Sequence, residues 1–273
     1  QMDREPGKDI LEVKDISKTI DGEKVLNHVS FRVARGDKIA FVGKTEQAAT
    51  TLFQILMGEM EPDEGSFKWG VSTSQSYFPK DNSEFFNGHT ENMLDWLAPY
   101  SQTDTLETTL RSFLGKMLFS GNDVYKSVNV LSGGEKVRCM LSKMMLSGAN
   151  VLLMDEPTNH LDVGMIEWLE GFLQNYAGGV LIISHDRFFL DRVANRIFEI
   201  ENKTVTAYEG NYTYYMKVRE QRRAAQLSAY EKQQEHIKKT EEYIRKYKAG
   251  IKSKQARGRQ SQLNRLERIV KPA

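Results

Sequence analysis

Residues 151–162 read VLLMDEPTNHLD, four apolar residues followed at once by the carboxylates of Asp155 and Glu156. A short apolar run that ends in polar residues is typical of an inner strand of a parallel β-sheet. A second run of this kind, VLII at 180–183, follows after a helical stretch at 165–176. Because open α/β sheets bind their ligands beyond the carboxyl ends of the strands, we expect Asp155 and Glu156 to lie at a ligand site.

The N-terminal part of the chain shows the same alternation of strands and helices. Short runs rich in apolar and β-branched residues predict strands at 11–13, 29–33 and 38–42. Residues 50–56 then carry apolar side chains at helical spacing. This order predicts a three-layer α/β domain that ends near Met216.

The composition supports a folded protein and excludes several classes. The chain has 273 residues, of which 40% are hydrophobic, enough for a large core. No stretch approaches the roughly 18 consecutive apolar residues of a membrane span, and residues 1–9 are too charged for a secretory signal. A single cysteine, Cys139, excludes an internal disulfide framework and a Cys-based zinc site. We expect a cytoplasmic protein with no membrane partner.

The charges are segregated along the chain. Residues 217–273 carry 17 Lys and Arg against six Glu and no Asp, a net charge of +11, so residues 1–216 carry −10 within the overall +1. Such asymmetry is typical of an extension that binds a polyanion, above all a nucleic acid. A solvated coiled coil is the alternative, although it would more often balance Lys with Glu four residues away.

The basic region also has the apolar spacing of paired helices. One set recurs every seven residues, at Tyr230, Ile237, Ile244 and Ile251, and a second set comprises Leu263, Leu266, Ile269 and Val270. We predict a helical hairpin with a first limb over 219–248 and a break over 250–258. The predicted domains are an α/β domain at 9–216 and a basic helical hairpin at 217–273.

Three motifs occur in a specific order: LSGGE at 131–135, DEPTNHLD at 155–162 and SHD at 184–186. Together they resemble the ATP-binding-cassette ATPases, and chance co-occurrence of all three is negligible. The resemblance implies that residues 9–216 form a P-loop ATP-binding-cassette domain, a three-layer α/β sandwich whose cofactors are ATP and Mg²⁺.

The resemblance also implies roles for the polar residues of the predicted site. Asp155 would hold Mg²⁺ and Glu156 would polarise the attacking water, since phosphoryl transfer mainly requires positioned groups and dispersed charge. His185 would sense the γ-phosphate, and Gln75 would contact the metal and the water. The implied activity is ATP hydrolysis, with Glu156 and His185 as catalytic residues.

The LSGGE motif implies a second cassette. Ser132, Gly133 and Gly134 open a predicted helix, so that backbone N–H groups point at an anion. In this family the anion belongs to the nucleotide on the opposite cassette. We therefore expect pairing on ATP binding with a second cassette, either in the same protein or in another chain.

The phosphate loop departs from the family pattern G-x-x-x-x-G-K-[ST]. Its residues are Gly43, Lys44, Thr45, Glu46, Gln47, Ala48, Ala49, Thr50 and Thr51. Ala49 stands at the lysine position, while Thr50 still supplies a hydroxyl for the metal. We expect weakened phosphate binding and impaired ATP hydrolysis, unless Lys44 reaches inward as a substitute. A natural degenerate site and an engineered Lys-to-Ala change both fit this loop.

Two further stretches, NHLD at 159–162 and YEGNY at 208–212, together with the basic hairpin resemble the ABC-F proteins, tandem-cassette ATPases that act on ribosomes. The resemblance implies that residues 230–266 are the linker that contacts tRNA and rRNA, in a translation factor or an antibiotic-resistance (ribosomal protection) factor. Its tip would bind RNA phosphates through basic side chains. These are Lys248, Lys252, Lys254, Arg257 and Arg259.

Other interpretations remain open. The front of the chain resembles the second cassette of such a protein and the tail resembles the exit from the first, so a fragment, a fusion of two half-cassettes and a half-size form that dimerises all fit. A nucleotide-holding RNA-binding module without turnover fits Ala49. An ATPase subunit of an ABC transporter would share LSGGE and the two carboxylates, but it would not be expected to carry the basic hairpin.

Overall fold

The computed structural model describes residues 2–101 and 105–272. The chain divides into two compact units, Gln1–Tyr212 and Thr213–Ala273, and each is described by itself. The strands of the first unit are β1 Asp9–Ile20, β2 Glu23–Ala34, β3 Lys38–Gly43, β4 Glu64–Trp69, β5 Gln75–Phe78, β6 Val151–Asp155, β7 Gly179–Ile183, β8 Arg196–Glu201 and β9 Thr204–Tyr208. Its α-helices are α1 Gln47–Leu56, α2 Met93–Leu97, α3 Glu107–Lys116, α4 Gly133–Leu146, α5 Val163–Gln174 and α6 Arg187–Val193.

The strands form two sheets. One is three-stranded and antiparallel, in the order β2-β1-β4, and the other is six-stranded, in the order β5-β6-β7-β3-β8-β9. The first five strands of the larger sheet are parallel, and only β9 pairs in the antiparallel sense, with β8. The predicted α/β class is therefore confirmed, and the two apolar runs that predicted inner strands are β6 and β7.

A shared apolar core holds the two sheets and α1 together. The rings of Phe31, Phe41, Phe53 and Phe198 meet edge to face with centroids 5.1 to 5.8 Å apart, a favourable aromatic geometry. The strands β6 and β7 are buried along their whole length, which explains why their sequences are apolar without alternation. This core packs α1, the helix that follows β3 in the chain, against β3.

The register of the parallel strands decides which residues share one edge of the sheet. Ile183 at the end of β7 lies level with Phe41 of β3 and with Asp155 of β6. Phe78, the last residue of β5, lies level with Met154. The loops that follow β3, β5, β6 and β7 therefore leave the sheet side by side at its carboxyl edge.

The second unit is helical. Its helices are α7 Tyr212–Tyr247, which begins at the last residue of the first unit, and α8 Ser253–Arg265. At 36 residues, α7 is about 54 Å long. No helix in the described ranges combines the length and apolar character needed to cross a bilayer.

The hairpin differs from its predicted form in three places. The first helix begins at 212 rather than 219, and the predicted break at 250–258 is shorter, because α8 begins at Ser253 and includes Gly258. Ile251 continues the seven-residue spacing but lies beyond the end of α7 and is fully exposed. Residues 266–270 have no regular secondary structure, although their apolar residues were predicted to belong to the second helix.

The segment that follows α8 runs back along α7. The amide of Gln233 donates to the Glu267 carbonyl at 2.7 Å and accepts from the Ile269 N–H at 2.8 Å. Gln226 donates to the Val270 carbonyl at 2.9 Å. Because these side chains satisfy backbone groups of this segment, residues 266–270 need no helical hydrogen bonds to stay ordered.

Candidate nucleotide-binding site

The carboxyl edge of the parallel sheet gathers most of the predicted site residues. The loop after β3 carries the phosphate-loop residues into α1, β6 ends at Asp155 and is followed at once by Glu156, and β7 ends two residues before His185. These three segments thus meet at the carboxyl edge of the larger sheet.

Thr50 and Asp155 form the buried contact of this edge. The Thr50 hydroxyl donates to Asp155 Oδ2 at 2.7 Å, and Asp155 is fully buried. Its second oxygen, Oδ1, has no hydrogen-bond partner among the described residues. Burial raises the pKa of Asp155, and the Thr50 hydrogen bond only partly opposes this effect. An unpartnered buried carboxylate oxygen next to a hydroxyl is a donor set suited to Mg²⁺.

Glu156 is held in an unusual backbone conformation. Its φ of 53° is left-handed, which is rare for a residue other than glycine and is common at functional sites. Its N–H donates to the Ile183 carbonyl at 2.8 Å, and its side chain is only 4% exposed. Oε1 lies 3.5 Å from His185 Nε2 but accepts no hydrogen bond there. Burial raises the pKa of Glu156.

Glu46 occupies the centre of the site. One of its carboxylate oxygens contacts His185 Nε2 and the other accepts a hydrogen bond from Lys80 Nζ. The Lys80 hydrogen bond is the main reason that the pKa of Glu46 is lowered. Although Glu46 is the N-cap residue of α1, its side chain makes no cap hydrogen bond. Glu46, Glu156 and His185 also bring three potential metal-ligand atoms within 4.8 Å of one another.

Gln75 is not brought to this site. It is the first residue of β5 and lies level with Val151 at the start of β6, so it sits at the edge of the sheet opposite to Asp155. Its amide donates to the Thr73 hydroxyl at 2.8 Å. The prediction that Gln75 contacts the metal was wrong, because the sequence does not reveal the direction and register of a short parallel strand.

Lys80 is the site residue that the sequence analysis missed. It follows the end of β5 by two residues, at the edge of the sheet where Asp155 and Glu156 also lie. The signal was present in the chain, since a cation directly after a short strand-like run is placed at the ligand-binding edge once the strand is known to be parallel.

The phosphate loop is closely packed at the two alanines. Ala48 and Ala49 are both buried and belong to the main apolar core, and Thr51 is buried too. Lys44, Thr45 and Gln47 are exposed. Gly43 has no room for a side chain, since a Cβ there would lie 2.7 Å from the Ile200 carbonyl oxygen.

A cavity opens beside this loop. Its volume is about 330 Å³, and Gly43, Thr45, Glu46, Ala49 and His185 are among the residues that line it. Ala49 in the first turn of α1 is therefore one of the residues that border the cavity. Glu46 and His185, whose side chains contact each other, both line it.

The LSGGE segment forms a capped helix start. The Ser132 hydroxyl accepts from the Glu135 N–H at 3.3 Å and the Glu135 carboxylate accepts from the Ser132 N–H at 2.8 Å, a capping box. A Cβ on Gly134 would lie 2.7 Å from the His160 carbonyl oxygen, so only glycine fits there. The predicted helix after Ser132 is present as α4.

The five predicted nucleic-acid-binding residues are all exposed in the second unit. Two of them also pack on aromatic rings of α7. The Arg259 guanidinium lies 3.8 Å from the centroid of the Tyr243 ring, and Lys252 Nζ lies 5.1 Å from that of Tyr247. Lys248, Lys254 and Arg257 are exposed at the same end of the hairpin.

Comparison with known proteins identifies the fold. A family profile described as ABC transporter matches residues 26–159, and a second profile with the same description matches residues 198–273. A solved structure titled as the ATP binding subunit of an ABC transporter superposes with a TM-score of 0.61 at 20% identity, covering 73% of this chain and 90% of that one.

Curated relatives share more of the sequence. An uncharacterized ABC transporter ATP-binding protein of Bacillus subtilis, YkpA, is 56% identical over 79% of this chain and 40% of its own length. ABC transporter F family member 2 of Arabidopsis thaliana is 30% identical over 96% of this chain and 45% of its own length. The energy-dependent translational throttle protein EttA of Haemophilus influenzae is 34% identical over 77% of this chain and 38% of its own length.

The chain thus spans less than half the length of each of these relatives. Profile matches, fold and the ordered motifs agree, and the predicted cassette is confirmed. This chain carries an ATP-binding-cassette domain.

Proposed function

We propose that this chain is part of an ABC-F-type factor that binds Mg-ATP, hydrolyses it slowly and acts on the ribosome. The observation that carries the nucleotide part is the buried Asp155, whose free Oδ1 lies beside the Thr50 hydroxyl contact at the edge of the sheet. A buried carboxylate with an unused oxygen is costly unless a cation or a donor completes it. Thr50 and Asp155 would hold Mg²⁺, which supplies charge neutralisation to the phosphates of ATP.

Glu156 is the residue that we assign to the attacking water. It follows Asp155 directly, and its unpaired Oε1 and raised pKa are those of a carboxylate held without a strong partner. Such a group accepts a proton more readily than an exposed glutamate, which suits a general base. His185, 3.5 Å from Glu156 Oε1, would orient the same water or contact the terminal phosphate.

Slow hydrolysis follows from Ala49. Loss of one charge-assisted contact to phosphate typically costs about 1.5–3 kcal/mol, which corresponds to roughly 10- to 100-fold in affinity. The backbone N–H groups at the start of α1 and the Thr50 hydroxyl remain to bind phosphate. ATP binding is therefore weakened rather than abolished.

The ribosomal assignment depends on the second unit and on two relatives. One relative bears the name of an F family member and another that of a translational throttle protein. The tip of the helical hairpin exposes Lys248, Lys254 and Arg257 with no acidic residue between 243 and 266. A rigid limb with a cationic end is suited to phosphate contacts in RNA, and phosphate contacts dominate affinity for nucleic acids.

A second cassette is part of the proposal. The capped helix start at 132–134 presents N–H groups and small residues, and the resemblance assigns them to the nucleotide of an opposite cassette. The relatives are more than twice as long as the part that matches this chain, which leaves room in each for another cassette.

Sedimentation with ribosomes tests the proposal. The chain should cosediment with ribosomes at low salt, and Mg-ATP should change the bound fraction, because nucleotide binding alters cassette pairing. An ATPase subunit of a transporter would show no salt-sensitive cosedimentation at all.

A binding module without turnover is the second candidate, and Ala49 favours it. Comparing ATP turnover of the chain with that of its Ala49→Lys variant separates the two functions. A slow enzyme gains turnover in the variant, whereas a module that only holds nucleotide shows none in either form.

A further inference from the structure

The lysine position of the phosphate-loop motif carries no ammonium group, yet the site contains one. Ala49 is only 4% exposed and ends in a methyl group, and Lys44 lies exposed at the start of the loop. Lys80 reaches the loop from the segment that follows β5, a strand that pairs with β6 and ends level with Met154. Its ammonium touches Glu46, three residues before Ala49.

The Glu46 carboxylate is itself an anion that two side chains of the site hold in place. Its carboxylate is held between Lys80 Nζ and His185 Nε2, within 4.8 Å of a carboxylate oxygen of Glu156 and close enough to Asp155 for its charge to raise the pKa of that residue. Three carboxylates in so small a space repel one another, and the cationic and ring donors that face Glu46 offset this repulsion. A phosphate group carries the same charge sign and the same kind of acceptor oxygens as a carboxylate.

The Glu46 side chain does not cap α1. Glu46 occupies the N-cap position without a side-chain cap hydrogen bond, so withdrawal of its side chain breaks no cap hydrogen bond. Lys80 is about half exposed and carries its charge on a flexible four-carbon stem. It can therefore exchange Glu46 for another anion without a rearrangement of the sheet.

We propose that Lys80 binds the terminal phosphate of the nucleotide in place of the missing loop lysine, and that the Glu46 carboxylate occupies this position until the nucleotide arrives. The inference rests on the proposed function, since it names a residue of the same nucleotide site. Lys80 is a binding residue for the terminal phosphate, and Glu46 competes with that phosphate for it.

Calorimetric titration of the full chain with Mg-ATP and with Mg-ADP tests the proposal, because ADP lacks the third phosphate group, which is the terminal phosphate of ATP. Lys80→Ala should weaken ATP binding about 10-fold or more while leaving ADP binding within about 3-fold. Lys80→Arg should keep most of the ATP preference. Glu46→Gln should tighten ATP binding in the otherwise unchanged chain and have much less effect once Lys80 is removed, since the two residues act on each other.

Rescue separates a binding role from a structural one. Ala49→Lys placed in the Lys80→Ala chain should restore the ATP preference, because a lysine at the loop position returns the ammonium. Lys68→Ala removes an exposed cation from β4 and should leave both titrations unchanged. Circular dichroism of each variant checks that the fold is kept.

Two outcomes overturn the proposal and are distinguishable. If the unchanged chain binds Mg-ATP and Lys80→Ala keeps the same preference for ATP over ADP, Lys80 does not bind the terminal phosphate, while the proposed function stands. If neither the unchanged chain nor its Ala49→Lys variant binds Mg-ATP, the nucleotide function fails and this inference fails with it.

Discussion

The Thr50 hydroxyl donates to Asp155 Oδ2 at 2.7 Å, joining the first turn of α1 to the end of β6 across 105 residues of sequence. The contact orients a fully buried carboxylate so that only its Oδ1 remains without a partner among the described residues. One hydrogen bond therefore decides which oxygen of Asp155 is available to a metal ion.

Removal of the Thr50 hydroxyl should weaken both the fold and Mg²⁺-dependent nucleotide binding. Thr50→Ala leaves Asp155 with a second unpaired oxygen in a buried position, which typically costs about 1–3 kcal/mol of unfolding free energy. Thr50→Ser keeps the hydroxyl and is the matched control. Urea unfolding and ATP titration with and without Mg²⁺ measure the two effects, and equal behaviour of the alanine and serine variants would mean that the contact does not matter.

The pKa of Glu156 predicts how stability depends on pH. Burial raises this pKa in the folded chain above its ordinary value of 4.5, so the ionised carboxylate opposes folding. This destabilisation is absent below the ordinary pKa and grows as the pH rises through the raised one. Glu156→Gln should therefore be more stable than the unchanged chain near neutral pH, and the difference should shrink on acidification. Urea unfolding of both proteins at several pH values measures it; a difference that does not vary with pH contradicts the assignment.

Much of the fold was predictable because the apolar pattern is strong where strands are buried. The runs at 151–154 and 180–183 are β6 and β7, and their polar ends lie at one edge of the sheet because parallel strands share a direction. The family motifs then located the polar site residues along the chain.

The wrong predictions concern residues whose positions depend on how strands pair or where a helix ends, because spacing along the sequence does not reveal either. Gln75 begins a four-residue strand and Lys80 follows its end, and only the pairing of that strand with β6 decides which of them reaches the site. The contact of Glu46 with Lys80 is a tertiary pairing over 34 residues, which no local pattern encodes. Ile251 kept the seven-residue spacing beyond the end of α7, and a repeat predicts packing only while the helix continues.

Two glycines in helices should respond in opposite ways to an added methyl group. A Cβ on Gly134 would lie 2.7 Å from the His160 carbonyl oxygen, whereas one on Gly115 meets nothing within 4 Å. Gly134→Ala should lower the unfolding free energy by about 1–3 kcal/mol, through crowding against backbone. Gly115→Ala should raise it by up to about 1 kcal/mol, because alanine favours the helix. Thermal and urea unfolding compare the two, and equal shifts would contradict the close approach at Gly134.

The capped helix start at 132–134 predicts nucleotide-dependent association. Glu156→Gln should slow hydrolysis by removing the proposed base, so that the Mg-ATP-bound form accumulates. Light scattering at high protein concentration should then show a dimer with Mg-ATP and a smaller species without nucleotide. A second change, Ser132→Arg, should prevent the association by blocking the helix start. A variant that stays monomeric with saturating Mg-ATP would show that these residues need a different cassette as partner.

The tip of the hairpin should supply the salt-sensitive part of ribosome binding. The predicted set contains Arg259 and Lys252, which pack on Tyr243 and Tyr247, so neutralising all five cations would mix a loss of charge with a loss of packing. Changing only Lys248, Lys254 and Arg257 to Gln avoids this, because their side chains are exposed.

Each lost phosphate contact should reduce the slope of log affinity against log salt by about 0.7 to 0.9, so the three-site variant should lose roughly 2 to 3 in slope. The control changes Lys217, Lys232 and Lys238 to Gln, three exposed cations on α7 before its last turns, and removes the same charge. Cosedimentation with ribosomes over a range of salt concentrations measures both variants. If the two slopes fall equally, the binding responds to net charge alone and the tip has no special role; a steeper loss for the tip variant places the RNA phosphates at residues 248–257.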